Sequence, residues 1–124
     1  MKAVIQRVSH ASVTIEGSVK SSIEKGYLIL LGICNEDSQE DIDWLVHKIV
    51  NLRIFDDENG VMNRNILDAN GNIIVVSQFT LMAMTKKGNR PSYIKAASPE
   101  ISVPLYEKFV KQLSLELGKD VQTG

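Results

Sequence analysis

Four consecutive side chains, Ser77-Gln78-Phe79-Thr80, hold the densest cluster of usable chemistry in the sequence. They close a β-prone run, Ile73 to Leu81. The end of a strand leaves backbone N–H groups outside the ladder, here those of Phe79 and Thr80. Such groups can donate to a developing oxyanion. Gln78 offers an amide that reads a polar ligand edge. Phe79 can stack on a base or an apolar group. Six to ten residues on, Lys86, Lys87 and Arg90 can neutralise a few phosphates. The plainer reading of the same segment is a core strand followed by a solvated loop.

Other catalytic patterns are missing. His10 and His47 are the only histidines, and neither has a second ligand at zinc spacing, so no metal site is expected. The sequence has no G-x-S-x-G elbow, phosphate loop or G-x-G-x-x-G. The single cysteine, Cys34, lies in the apolar run Leu30-Leu31-Gly32-Ile33-Cys34 and reads as a small buried hydrophobe. Thr80 alone is weak evidence for a nucleophile, because threonine is common in strands and needs a base.

The elements that must position these residues follow from periodicity. The first third reads as strands over Val4 to Val8, Ala11 to Ile15 and Val19 to Glu24, with turns at Gly17-Ser18 and Lys25-Gly26. Tyr27 to Cys34 is nearly continuous apolar sequence and predicts a central strand covered on both faces. Ser38 then caps a helix, with Asp41 three residues on. Its stripe is Ile42, Leu45, Val46, Ile49 and Val50, which leaves His47 exposed. Leu52 to Phe55 predicts a short strand and Ile73 to Leu81 a long one. Leu105, Phe109, Leu113 and Leu117 predict a last helix, starting near Val103 with Ser102 as its cap and ending at Gly118. Val121 to Gly124 reads as the start of a further strand.

Size and composition bound the rest. A chain of 124 residues suits one domain, 1–124. Its charge of −1 argues against a general RNA-coating protein, so any nucleic-acid contact must be a local patch. No apolar run reaches membrane-spanning length and the N-terminus lacks a signal-peptide pattern, which makes the cytoplasm the expected location.

Five segments, read together, resemble the D-aminoacyl-tRNA deacylases. They are Gln6-Arg7-Val8 with Ala11 and Val13, and Leu52-Arg53-Ile54-Phe55-Asp56-Asp57 with Met62-Asn63. Val75 to Leu81, Lys86-Lys87-Gly88-Asn89-Arg90-Pro91-Ser92, and Leu105-Tyr106-Glu107-Lys108-Phe109 complete the set. The resemblance covers essentially the whole chain. It implies a single α/β domain with two layers of largely antiparallel or mixed sheet and two main helices packed on one side. It also implies a homodimer, no metal or cofactor, and hydrolysis of the ester joining a D-amino acid to the terminal adenosine of tRNA, with removal of glycine from the wrong tRNA as a further activity. On matching positions Ser77, Gln78, Phe79 and Thr80 line the pocket, and Arg7 supports it near the dimer interface. The resemblance leaves two routes: attack by Thr80, or attack by a water positioned by backbone groups and the tRNA's own 2′-hydroxyl. The absence of a histidine or lysine beside Thr80 favours the second. The family's Gly-Pro pair, which excludes L-amino acids, has no counterpart among Pro91, Pro99 and Pro104. The expectation is a truncated chain whose C-terminal strands are missing, or one without the chiral gate. The alternatives are a non-catalytic tRNA-binding module using Lys86, Lys87, Arg90 and Phe79, and a structural domain in which the Ser77 strand only packs.

Overall fold

The computed structural model describes residues 1–124. In chain order the strands are β1 (Lys2–Val8), β2 (Ala11–Ile15), β3 (Ser18–Ile23), β4 (Gly26–Gly32), β5 (Phe55–Asp56), β6 (Met62–Arg64), β7 (Asn72–Ser77) and β8 (Gln122–Thr123). The helices are α1 (Gln39–Asn51) and α2 (Pro99–Leu117). A four-stranded mixed sheet has the order β1-β4-β7-β8, with β1 antiparallel to β4 and the other pairs parallel.

Alternation sorts the apolar run of β4 onto two faces. Tyr27, Ile29 and Leu31 join Ile73 and Val75 of β7 in one core with Ile42, Val46 and Ile49 of α1 and Phe109 and Leu113 of α2. The two helices pack against each other over this face. On the other face Ile74 is buried, and the β2–β3 ribbon lies against β7 and β8 as a second layer. Polar contacts pin that ribbon: the Ser22 N–H donates to the Gln122 amide oxygen at 2.8 Å, and the Gln122 amide donates to the Ser22 carbonyl at 2.9 Å. This is the expected mixed α/β domain with two sheet layers and both helices on one side. No helix is long and apolar enough to cross a membrane.

The cap of α1 is as expected: the Ser38 N–H donates to the Asp41 carboxylate at 2.8 Å. Gly118 ends α2, with its N–H on the Ser114 carbonyl at 2.9 Å. The chain after Val121 does form a strand, β8, beside β7.

Several boundaries differ from expectation, and the strand predicted over Tyr27 to Cys34 spans Gly26–Gly32. The strand predicted over Leu52 to Phe55 is reduced to Phe55–Asp56, because Leu52 still caps α1 through Lys48 and the Ile54 carbonyl is taken by Arg7. Helix α2 begins at Pro99, not near Val103. Ser98 is its cap and Pro99 sits in the first turn, where a missing N–H costs nothing. Pro104 is carried inside the helix. The strand predicted over Ile73 to Leu81 stops at Ser77, for a reason that bears on the site below.

Tyr27 is the buried residue with an unmet need. Its ring is fully buried and stacks on Phe55 at 5.2 Å, yet its hydroxyl reaches no hydrogen-bond partner in the protein. Burial pushes this phenol up to about 12, against a smaller opposite pull from the Arg7 charge. The folded-state value lies above the ordinary tyrosine value of about 10. Stability from this group is therefore full below that ordinary value and falls as pH climbs from there through the folded value. Tyr27→Phe is expected to stabilise the fold by about 1 kcal/mol at neutral pH, since an unsatisfied buried polar group is removed. It should also shallow the alkaline loss of stability, read by thermal melts across pH 8 to 12. A lower melting temperature at pH 7 would show that the hydroxyl has a partner after all.

Candidate functional site

β7 loses its neighbour before the apolar sequence ends. Leu31 pairs with Ser77, β4 stops at Gly32, and the last inter-strand bond is from the Gln78 N–H to the Leu31 carbonyl at 2.8 Å. Phe79–Met82 then forms a single 3-10 turn, which buries Met82 and folds Leu81 back over Gly32. The Leu81 N–H bonds the Gln78 carbonyl at 3.2 Å, and the Ala83 N–H bonds the Thr80 carbonyl at 3.1 Å. The N–H groups of Phe79 and Thr80 are the first of this turn, so no carbonyl within it can accept from them.

Within the turn, the Gln78 side-chain amide donates to the Thr80 hydroxyl oxygen. A carboxamide is not a base. Thr80 thus has an orienting partner but no proton acceptor. Ser77 is exposed, with its hydroxyl free of any hydrogen bond to the protein. Phe79 is 58% exposed, and its ring meets Tyr93 edge-on at 5.2 Å and 73°. Tyr93 follows a loop closed at its neck by two hydrogen bonds. The Met84 N–H donates to the Ser92 carbonyl at 2.7 Å, and the Ser92 N–H donates to the Met84 carbonyl at 2.9 Å. Lys86, Lys87 and Arg90 of this loop line a 250 Å³ cavity together with Met84, Ser92 and Ile94. None of the three is in an ion pair.

The structure therefore joins the Ser77-Gln78-Phe79-Thr80 segment to the loop of Lys86, Lys87 and Arg90 through one contact, Phe79 on Tyr93, and the cavity lined by the three cations includes none of those four residues. Within one chain it does not bring Arg7 to them. Arg7 pairs across β1–β4 with Tyr27, and Tyr27 with Ile73, four residues before Ser77. That is on the order of 13 Å along the strand. There the Arg7 guanidinium donates to the Ile54 carbonyl at 2.6 Å and lies 3.4 Å from the Asp56 carboxylate, in a separate 330 Å³ cavity shared with Lys25 and Arg64.

Two residues of the site escaped sequence reasoning. Tyr93 was legible only as the residue after a basic loop. Gly32 carried a usable signal: a glycine inside an apolar strand marks a close backbone approach. A Cβ built there would lie 2.9 Å from Leu81 Cβ and 3.2 Å from the Gln78 carbonyl. Cys34 is half-buried, not fully buried as its apolar run predicts, and its N–H donates to the Asp37 carboxylate at 2.8 Å.

A family model described as D-Tyr-tRNA(Tyr) deacylase matches residues 4–124. A D-aminoacyl-tRNA deacylase of Bacteroides fragilis (strain YCH46) is 73% identical over 124 residues, spanning 100% of this chain and 83% of that protein. A solved structure titled c-Myc DNA Unwinding Element Binding Protein superposes with a TM-score of 0.92 at 39% identity, covering 100% of this chain and 85% of the other. A second, a probable eukaryotic D-amino acid tRNA deacylase, has a TM-score of 0.78 at 16% identity over 95% of this chain and 69% of its own, and speaks to the fold alone. The chain belongs to the D-Tyr-tRNA(Tyr) deacylase family and is an enzyme of that kind.

Proposed function

We propose that this chain hydrolyses the ester joining a D-amino acid to the 3′-terminal adenosine of tRNA, releasing free amino acid and tRNA. In this reading it proofreads translation in the cytoplasm as a homodimer, with mischarged glycyl-tRNA as a second substrate. One observation carries the mechanism: Gln78 donates to Thr80, which leaves Thr80 oriented but without a base.

A water adds to the ester carbonyl, positioned by the ribose 2′-hydroxyl beside the ester. The carbonyl oxygen becomes an oxyanion facing the N–H groups of Phe79 and Thr80. The C–O bond to the ribose then breaks, and the ribose oxygen leaves with the proton that the water gave up. One such donor contributes about 2.7–4 kcal/mol to a reaction of this type. An aminoacyl ester is already activated, so positioning and oxyanion stabilisation can lower much of the barrier. With Gln78 donating to its oxygen, the Thr80 hydroxyl keeps its own proton to donate to substrate. Ser77 and Gln78 line the polar wall, and Phe79 packs on the adenosine. Lys86, Lys87 and Arg90 contact the RNA. Arg7 supports the pocket across the homodimer interface, consistent with its distance from Ser77 within one chain.

Thr80→Ala is expected to keep measurable deacylation of D-Tyr-tRNA, slowed about tenfold or less, as loss of a single neutral hydrogen bond costs about 1 kcal/mol. Complete loss of turnover with fold and tRNA binding intact would restore Thr80 as the nucleophile. The unpaired cations of the loop also suit a tRNA-binding module without catalysis. Release of free amino acid by the wild-type chain separates the two, and binding without release would defeat the enzyme reading.

A further inference from the structure

The basic loop gathers three cations without an ion-pair partner around one cavity. Of the four arginines, Arg7 is paired with Asp56, Arg64 with Glu58 at 2.8 Å, and Arg53 donates to the Asn63 carbonyl at 2.9 Å. Arg90 has no such partner, and it shares its loop with Lys86 and Lys87, which have none either. Three uncompensated charges on one seven-residue loop repel each other, in a chain whose net charge is −1. An anion bound among them would relieve that repulsion. The loop is also held in place. The Met84–Ser92 hydrogen bonds close its neck, and Tyr93, the next residue, bears edge-on against Phe79. Beside the three cations the cavity is lined by the exposed apolar side chains of Met84 and Ile94, which suit the ribose and base edges that come with a nucleic-acid phosphate.

We propose that the loop Thr85 to Pro91 reads the phosphates of the single-stranded RNA that precedes the terminal nucleotide, with Tyr93 as the positioning residue that ties this arm to Phe79. The proposal rests on the deacylase reading of the adjoining pocket. It assigns the loop to the approach strand and not to the reacting adenosine. Recognition there is electrostatic and independent of sequence, since it rests on phosphate contacts, which carry no sequence information.

The test compares two substrates, D-Tyr-tRNA and D-Tyr-adenosine, the second lacking every upstream phosphate. In the variant Lys86→Gln/Lys87→Gln/Arg90→Gln, kcat/KM for the tRNA is expected to fall at least tenfold more than for the adenosine ester, with the extra loss in KM. The slope of log kcat/KM against log salt should become shallower by about 2, at roughly 0.7 per phosphate for a single strand. The charge-keeping variant Lys86→Arg/Lys87→Arg/Arg90→Lys should hold the wild-type slope. Equal losses on the two substrates, or an unchanged slope, would overturn the proposal. If the wild type hydrolyses neither ester, the deacylase reading fails by itself. Salt-dependent binding of an unacylated single-stranded RNA oligonucleotide by wild type and the Gln variant then decides the loop's role: equal slopes overturn it and a difference near 2 sustains it.

Discussion

Gly26→Ala is expected to lower the melting temperature by at least ~10 °C, the largest stability loss among single methyl additions to this sheet. Gly26 opens β4 opposite Asn72, the first residue of β7. A Cβ there would lie 1.7 Å from the Asn72 carbonyl oxygen and 2.7 Å from its carbonyl carbon and nitrogen. These are backbone atoms, so no side chain can swing aside. Asn72 is itself held by its N–H on the Lys25 carbonyl at 3.0 Å. The strands must separate at this end, and the neighbouring rows Tyr27–Ile73 and Ile29–Val75 form the sheet side of the core. Overpacking costs about 1–3 kcal/mol where neighbours can adjust. With only backbone to move, the cost should sit at or above the top of that range. Against a total stability of about 5–15 kcal/mol, that is a large share. A variant melting within ~2 °C of wild type, by calorimetry or circular dichroism, would mean that β4 and β7 can part at this end without loss.

The same parallel pair explains what the sequence could and could not disclose. The central strand, both helices and the terminal strand were legible because each depends on local pattern. Ile42, Val46 and Ile49 recur at helical spacing, and the alternation of Tyr27, Ile29 and Leu31 sorts one face. The candidate site residues Ser77 to Thr80 were legible as residue types but not as a shape. Phe79 and Thr80 are good strand formers, and Leu81 extends the apolar run. They leave the strand because β4 ends at Gly32, and no local propensity records where a partner 45 residues earlier stops. The start of α2 was misplaced for the opposite reason. The local start signal is Ser98-Pro99, and a proline such as Pro104, which ordinarily marks a helix start, is carried inside α2. The contact between Phe79 and Tyr93 joins two loops and leaves no periodic trace. Arg7 reads as part of the site only through resemblance, since one chain holds it at the far end of the sheet.

Gly32→Ala is expected to reduce kcat/KM on D-Tyr-tRNA by about 10²-fold, equivalent to about 2.7 kcal/mol of barrier, while the protein stays folded. The added methyl would meet Leu81 Cβ at 2.9 Å, the Gln78 carbonyl oxygen at 3.2 Å and Met82 Cε at 3.3 Å. Met82 Cε ends a flexible side chain and can yield. Leu81 Cβ and the Gln78 carbonyl are fixed to the turn, so the turn must move. Its first two N–H groups, on Phe79 and Thr80, are the proposed oxyanion donors, and a preorganised donor loses its value with small displacement. The loss should therefore fall mainly on kcat. This differs from Gly26, where the obstruction lies inside the sheet. Here it lies at a surface turn with room to shift. Leu81→Gly removes the nearest obstructing atom. The double variant Gly32→Ala/Leu81→Gly should then be less impaired than the product of the two single effects, a coupling that a general loss of stability would not produce. If Gly32→Ala keeps its kcat although the turn has moved, the amides of Phe79 and Thr80 are not what stabilises the transition state, and the Thr80 hydroxyl regains first claim on the chemistry.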